Sequence, residues 1–220
     1  MVTATSAVDP AAFIQAQTVI AAPPLTPEVK LHLATEITPI WEATEATLAK
    51  MNLPPPYWAF AWAGGQALTR FLLDHSDWVK GKRVLDFAAG SGLSAIGAAK
   101  AGAAQVQAAE IDDYAIVAIA LNARVNNVAI ELVREDLVGV EPRWDVVLAG
   151  DVCYERPMAE RVIAWFRVLA GRGVAVLMGD PGRAYLPQSG LVELGRYQVP
   201  TSLELEDRTM RETIVWRLMP

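Results

Sequence analysis

Residues Leu85–Ser94 read LDFAAGSGLS, directly after GKRV at positions 81–84. A short apolar run enters a glycine turn, and an alanine-rich helical stretch follows. Glycine at such a turn lets backbone approach a ligand with no Cβ in the way. A dinucleotide turn spaces its glycines G-x-G-x-x-G and aims a helix N-terminus at the pyrophosphate. Here they stand at Gly90, Gly92 and Gly97, so the third arrives two residues late. The apolar run also carries an acid, Asp86. A carboxylate beside an anion-binding turn is unfavourable, whereas a positively charged ligand tolerates one well.

Outward from this turn, helix and strand patterns alternate. GGQALTRFLLDH (64–75) is an amphipathic helix; the strand-like runs are RVLDFA, QVQAAEI, IELVRED, DVVLAG and GVAVLMG. Helical stretches at Ser94–Ala101, Asp113–Asn126 and Pro157–Ala170 lie between most of them. Such alternation predicts a doubly wound, mostly parallel α/β sheet. The C-terminal RYQVPTSLELEDRTMRETIVWRLMP has strand-like runs without a helix between them, which predicts an antiparallel hairpin on one sheet edge. Upstream, residues 1–56 are proline-punctuated and read as a helical extension ahead of a domain at 57–220. Asp9-Pro10, Thr26-Pro27 and Thr38-Pro39 each offer an N-cap with proline at the first helical position. The third helix is expected from Pro39 to about Lys50, and LPPPYWAFAWAGG as an extended entry segment.

The totals bound the function. The chain has 220 residues, 53% of them hydrophobic, which suits a single α/β domain covered on both sheet faces. Its net charge of −6, without a basic stripe, disfavours a nucleic-acid substrate. No run is apolar for the length of a membrane span. The N-terminus lacks the marks of a secretory or mitochondrial leader, and one cysteine, Cys153, fits a reducing compartment. The reading is a cytoplasmic, monomeric protein of bacterial type that binds neither nucleic acid nor membrane. With only His32 and His75, a histidine-based metal site is not expected; both read as surface or helix-face residues.

A Rossmann-like sheet closed by an antiparallel hairpin resembles the seven-stranded class I methyltransferases. Asp86-x-Ala88-x-Gly90-x-Gly92 resembles their first motif, with Ala88 where a glycine often stands. The turn then holds S-adenosylmethionine. Glu110, in AAEID, takes the ribose hydroxyls, and Asp136, in REDL, stands where the adenine amine is bound in such enzymes. An acid after the second strand also occurs in NAD enzymes, so Glu110 alone does not discriminate. PYWAFAWAGGQALTRFLLDH, LDFAAGSGLSAIGAAKAGA, EIDDYAIVAIALNARVN, GDVCYE and MGDPGRAYLP together resemble the lysine methyltransferases of the electron transfer flavoprotein β subunit.

That resemblance implies protein-lysine methylation, with the flavoprotein β subunit as partner. It makes Asp151 and Tyr154, an acid-x-x-aromatic motif, the catalytic pair. Trp62, Asp86, Ala88, Gly90, Gly92, Glu110, Ile111, Asp136, Leu137 and Gly150 are the implied cofactor contacts; Trp58, Asp180 and Arg183 are the implied substrate contacts. Plain alternatives stand beside these: Trp62 as core, Asp151 as a cap for the following helix, and Asp180 with Arg183 as a structural turn. Cys153 reads as a small buried hydrophobe. Another protein target, such as a ribosomal protein, or a small-molecule acceptor is the rival within the class. A nicotinamide-dependent reductase is the rival outside it, disfavoured by the glycine spacing and the lack of a Tyr-x-x-x-Lys pair.

Overall fold

The computed structural model describes residues 9–35, 55–201 and 208–220. Strand β3 (Arg83–Phe87) lies inside the main sheet, and its side chains alternate between the two hydrophobic layers. Leu85 and Phe87 face one layer and Val84 the other, as the period of two along a strand requires. Strands β4 (Gln105–Ala109) and β6 (Val146–Gly150) pair with β3 in parallel, with Val84 opposite Val106 and Val146. Outside β4 runs β5 (Glu131–Val133), and outside β6 runs β7 (Ala175–Asp180), both parallel. The hairpin β8 (Leu191–Pro200) and β9 (Met210–Leu218) completes a seven-stranded sheet of order β5-β4-β3-β6-β7-β9-β8. β9 is antiparallel to both β7 and β8, as the helix-free C-terminal pattern implied.

The chain winds outward from β3 to β5 and returns to β6 on the other side of β3. Strand order therefore reverses between β3 and β6, where open α/β sheets hold their ligands. Helix α5 (Arg156–Gly171) covers one face through Trp165, Phe166 and Leu169, packed on Leu85, Val147 and Val176. On the other face lie α2 (Ala63–Asp74), α3 (Leu93–Lys100) and α4 (Asp113–Val125). The apolar stripe of α2, with Leu68, Phe71 and Leu72, lies on Val84, Val146, Leu148 and Leu177. Its first turn comes closer still. A Cβ on Gly64 would stand 2.2 Å from the Gly179 carbonyl oxygen, and one on Gly150 would stand 2.9 Å from the Gly65 nitrogen. Only glycine permits this backbone-to-backbone seat.

The N-terminal region departs from the helical expectation. Helix α1 (Pro10–Gln17) forms as read, with the Asp9 carboxylate accepting from the Ala11 N–H. Next comes an antiparallel ribbon, β1 (Val19–Ala21) and β2 (Leu31–Leu33), and Thr26-Pro27 makes a turn rather than a helix start. The reason is tertiary. Asn126, the C-cap of α4, accepts from the Lys30 N–H at 3.0 Å and donates to its carbonyl at 2.6 Å; Asn122, one turn earlier in the helix, accepts from the His32 N–H at 2.8 Å. Those amides hold the outer edge of β2 as a neighbouring strand would. His32 is consequently buried against Thr18, not on the surface, and burial lowers its pKa. The helix expected from Pro39 to Lys50 lies outside the described residues. Of the expected extended entry segment, Leu53 and Pro54 lie outside the described residues, Tyr57–Ala59 form a 3₁₀ turn, and the last three residues, Ala63, Gly64 and Gly65, already open α2.

Candidate active site

The turn after β3 is left-handed at alternate residues, with φ of 52° at Ala88, 52° at Gly90 and 76° at Gly92. Non-glycine residues rarely adopt this region, so strain at Ala88 marks a built site. A Cβ at Gly90 would meet no protein atom within 4 Å, because that residue borders open cavity. Gly92 has a different duty: it caps α3, and a Cβ there would press on Ile119 at 3.0 Å. It shapes the turn and does not line the main cavity. Glu110 bridges the turn, one oxygen accepting from the Gly90 N–H at 3.0 Å and the other from the Ile111 N–H at 2.8 Å. The Asp112 N–H stands 3.5 Å from the same oxygen as the Ile111 N–H, so the open acceptor position is on the oxygen beside Gly90, where a ribose hydroxyl can donate. Burial pushes the Glu110 carboxyl up against those donors. Asp86 lies beneath the turn, accepting from the Ala95 N–H at 2.8 Å; burial raises it to about 8, with the Glu110 charge adding to the effect.

Farther along, Asp136 accepts from the Val138 N–H at 3.1 Å and from Arg161 at 2.7 Å. Against its partial burial, these two partners hold it below the usual carboxylate range. Leu137, expected beside the cofactor, instead places its side chain in the core.

The carboxyl end of β6 carries Asp151, itself at φ 57°. One carboxylate oxygen accepts from the Gly65 N–H at 3.2 Å, in the first turn of α2; the other accepts from Arg183 Nε at 3.0 Å and Nη2 at 2.7 Å. The N-cap residue of α5 is Glu155, so the capping alternative for Asp151 does not hold. The Arg183 guanidinium lies 5.8 Å from the Trp62 ring centroid. Trp62 donates from Nε1 to the Tyr57 carbonyl at 2.9 Å, and the Tyr57 ring stands 5.9 Å from that of Tyr154. Asp180 takes the turn reading: one of its oxygens accepts from the Gly182 and Arg183 N–H groups, each at 2.7 Å, and it presents Arg183 without lining the cavity. Trp58 does not reach the cavity either. It is buried beside Ile14 and Ala118 and stacks on Tyr114, because the 3₁₀ turn points it away from its neighbour Tyr57. Cys153 is fully buried, and burial pushes its thiol up to about 12, as a packing residue requires.

These residues enclose a cavity of about 510 Å³ at the β3–β6 reversal. Trp62, Ala88, Gly90, Glu110, Ile111, Asp136, Gly150, Asp151, Tyr154 and Arg183 all line it, and Asp86 borders a small adjoining pocket. Sequence reading missed Tyr57, Met158, Arg161 and Val162. The last three share a face of α5, and their 158/161/162 spacing was the available signal. Five carboxylates (Glu110, Asp112, Glu135, Asp136 and Asp151) line the cavity with two guanidiniums, Arg161 paired with Asp136 and Arg183 paired with Asp151. The surplus of carboxylates, the open acceptor position on Glu110 and the open space at Gly90 fit S-adenosylmethionine, which carries a sulfonium, an ammonium and a ribose.

Fold and site together define a class I S-adenosylmethionine-dependent methyltransferase. The ribosomal protein L11 methyltransferase (PrmA) family model matches residues 32–152. A magnesium protoporphyrin IX methyltransferase from Synechocystis PCC 6803, solved with bound S-adenosylmethionine, shares the fold at a TM-score of 0.53 and 19% identity, over 71% of this chain and 78% of that one. The electron transfer flavoprotein beta subunit lysine methyltransferase of Xenopus laevis is 37% identical over 98% of this chain and 89% of its own length. Its human counterpart is 34% identical over 89% and 76%. The chain belongs to the electron transfer flavoprotein β subunit lysine methyltransferase family.

Proposed function

We propose that this protein methylates lysine side chains of the electron transfer flavoprotein β subunit. The observation that carries the reading is the placement of Asp151 beside Trp62 and Tyr154 in the same cavity as Glu110 and the glycine turn. Ribose and acceptor ends of one reaction thus meet at a single strand-order reversal. The relatives' names supply the target, since they cover nearly the whole chain.

S-adenosylmethionine supplies an electrophilic methyl: its carbon–sulfur bond breaks with the electron pair left on sulfur, while the lysine nitrogen forms the new carbon–nitrogen bond. The chain's own residues provide position. Glu110 orients the ribose, and backbone at Ala88–Gly90 lets the cofactor approach closely. An acceptor lysine has a reference pKa of ~10.4 and must lose a proton before attack. Asp151 accepts from the arriving nitrogen and aligns its lone pair, and the proton departs through the cavity mouth to water. Tyr57 and Tyr154 line the cavity, where aromatic faces favour a cation.

Incubation with radiolabelled S-adenosylmethionine and recombinant electron transfer flavoprotein, followed by mass spectrometry, tests the proposal. Label on β-subunit lysines is the expected result. Label on other proteins of a cell extract, with none on the flavoprotein, would retain the chemistry and discard the target. The match to the L11 methyltransferase family over residues 32–152 makes ribosomal proteins the first candidates in that event.

A further inference from the structure

Arg183 occupies an informative place. Its Nε and Nη2 both donate to the same oxygen of Asp151, at 3.0 and 2.7 Å, and its guanidinium carbon stands 5.8 Å from the Trp62 ring centroid. Both partners line the cavity, and the side chains of the pair are only 17% and 10% exposed. The arrangement is held from behind: the Asp180 carboxylate fixes the Arg183 N–H, and Gly182 turns the chain at φ 85°. A cation between one carboxylate and one aromatic face is the environment that an acceptor ammonium needs. Here the chain's own guanidinium fills it.

We propose that Arg183 is a resident surrogate for the acceptor lysine, holding the cation position against Asp151 and Trp62 until the substrate's side chain displaces it. The inference rests on the lysine-methylating reading above and names a determinant of acceptor selectivity within it. A carboxylate oxygen offers about two lone pairs. Arg183 uses both on one Asp151 oxygen, and the other oxygen already accepts from the Gly65 N–H. A second cation therefore cannot take the first oxygen while Arg183 stays; one reaching the second oxygen, beside the Gly65 N–H, would stand against the neighbouring guanidinium, and two cations on one carboxylate repel each other. Displacement has to be driven by binding energy from elsewhere. A protein surface docked around the cavity mouth supplies such energy, and a free amine does not. Arg183 thus discriminates against small amines that would otherwise reach the methyl donor.

Removing the guanidinium should open the position to other cations. With S-adenosylhomocysteine bound, tetramethylammonium chloride is titrated into the wild-type protein and into Arg183→Met, which keeps an apolar stem of similar reach. The affinity for tetramethylammonium is expected to rise at least tenfold in the variant, and kcat/KM for Nα-acetyllysine to rise by a similar factor. An unchanged or weaker tetramethylammonium affinity would overturn the proposal and leave Arg183 as a positioning residue for Asp151, whose loss lowers kcat. Arg183→Gln carries the same comparison if Arg183→Met does not fold, with S-adenosylhomocysteine affinity as the check of integrity. The cation titration involves no protein substrate. A wild-type enzyme inactive on the flavoprotein would therefore sink the target assignment and still leave the titration to decide the role of Arg183.

Discussion

The two halves of the cavity are built differently. On the cofactor side, acids meet backbone donors from nearby chain: Asp86 with Ala95, and Glu110 with Ile111 and with Gly90, twenty residues away. On the acceptor side, Asp151 is held by Gly65, 86 residues earlier, and by Arg183, 32 residues later. The first half is a local turn with negative charge left for a cationic ligand. The second is assembled from separate segments, and a guanidinium already balances its charge. A ligand can enter the first by adding to it, whereas entry into the second requires an exchange.

Substitutions that separate the halves test this contrast. The largest effect is expected for Asp151→Ala, with methyl transfer falling on the order of 10²–10⁴-fold and S-adenosylmethionine affinity little changed, read by single-turnover kinetics and calorimetry. Normal turnover in that variant would remove Asp151 from the reaction. Next comes Gly64→Ala, whose Cβ would stand 2.2 Å from the Gly179 carbonyl oxygen and 2.5 Å from the Asp151 carboxylate. Overpacking there should cost about 3 kcal/mol in urea denaturation and lower activity with it. A variant of wild-type stability would mean that α2 can slide on the sheet.

On the cofactor side, Glu110→Ala should weaken binding by about 1.5–3 kcal/mol, equally for S-adenosylmethionine and S-adenosylhomocysteine, since both carry the ribose. A loss confined to the sulfonium form would recast Glu110 as a charge partner instead. The last effect is a pH dependence of stability and belongs to Asp86, raised to about 8 in the fold from an ordinary 3.8. Between those values the ligand-free folded protein holds a proton that the unfolded chain has lost. Its contribution is therefore fully present below pH 3.8 and is lost as pH rises to about 8. The slope amounts to at most about 1.4 kcal/mol per pH unit. Asp86→Asn should flatten it; an unaltered slope would assign the pH dependence to other groups.

Most of the main sheet was legible because its signals are local. Short apolar runs in RVLDF and DVVLAG, glycines at a turn, and a helix-free C-terminus each report on a few neighbouring positions. The N-terminal misreading shows where that logic ends. Thr26-Pro27 has the form of a helix start, yet the segment is drawn into a ribbon by Asn122 and Asn126, more than ninety residues away. No local pattern announces such a pairing, because the amides stand on another helix. Trp58 and Leu137 do not line the cavity for a related reason: a motif names adjacent residues, but backbone direction decides which of them faces it.

By itself the sequence determined the parallel α/β sheet, the glycine turn, the acids Asp86, Glu110, Asp136 and Asp151 at the strand ends, and through them the cofactor. Those features depend on residue type and short spacing, which the chain carries wherever it folds. Tertiary structure alone decided that Arg183 closes on Asp151 over Trp62, that three glycines seat α2 against β6 and β7, and that Asp180 bonds the turn carrying Arg183 without lining the cavity. Each of these is a contact between distant segments, so its energy exists only once the sheet has brought them within bonding distance.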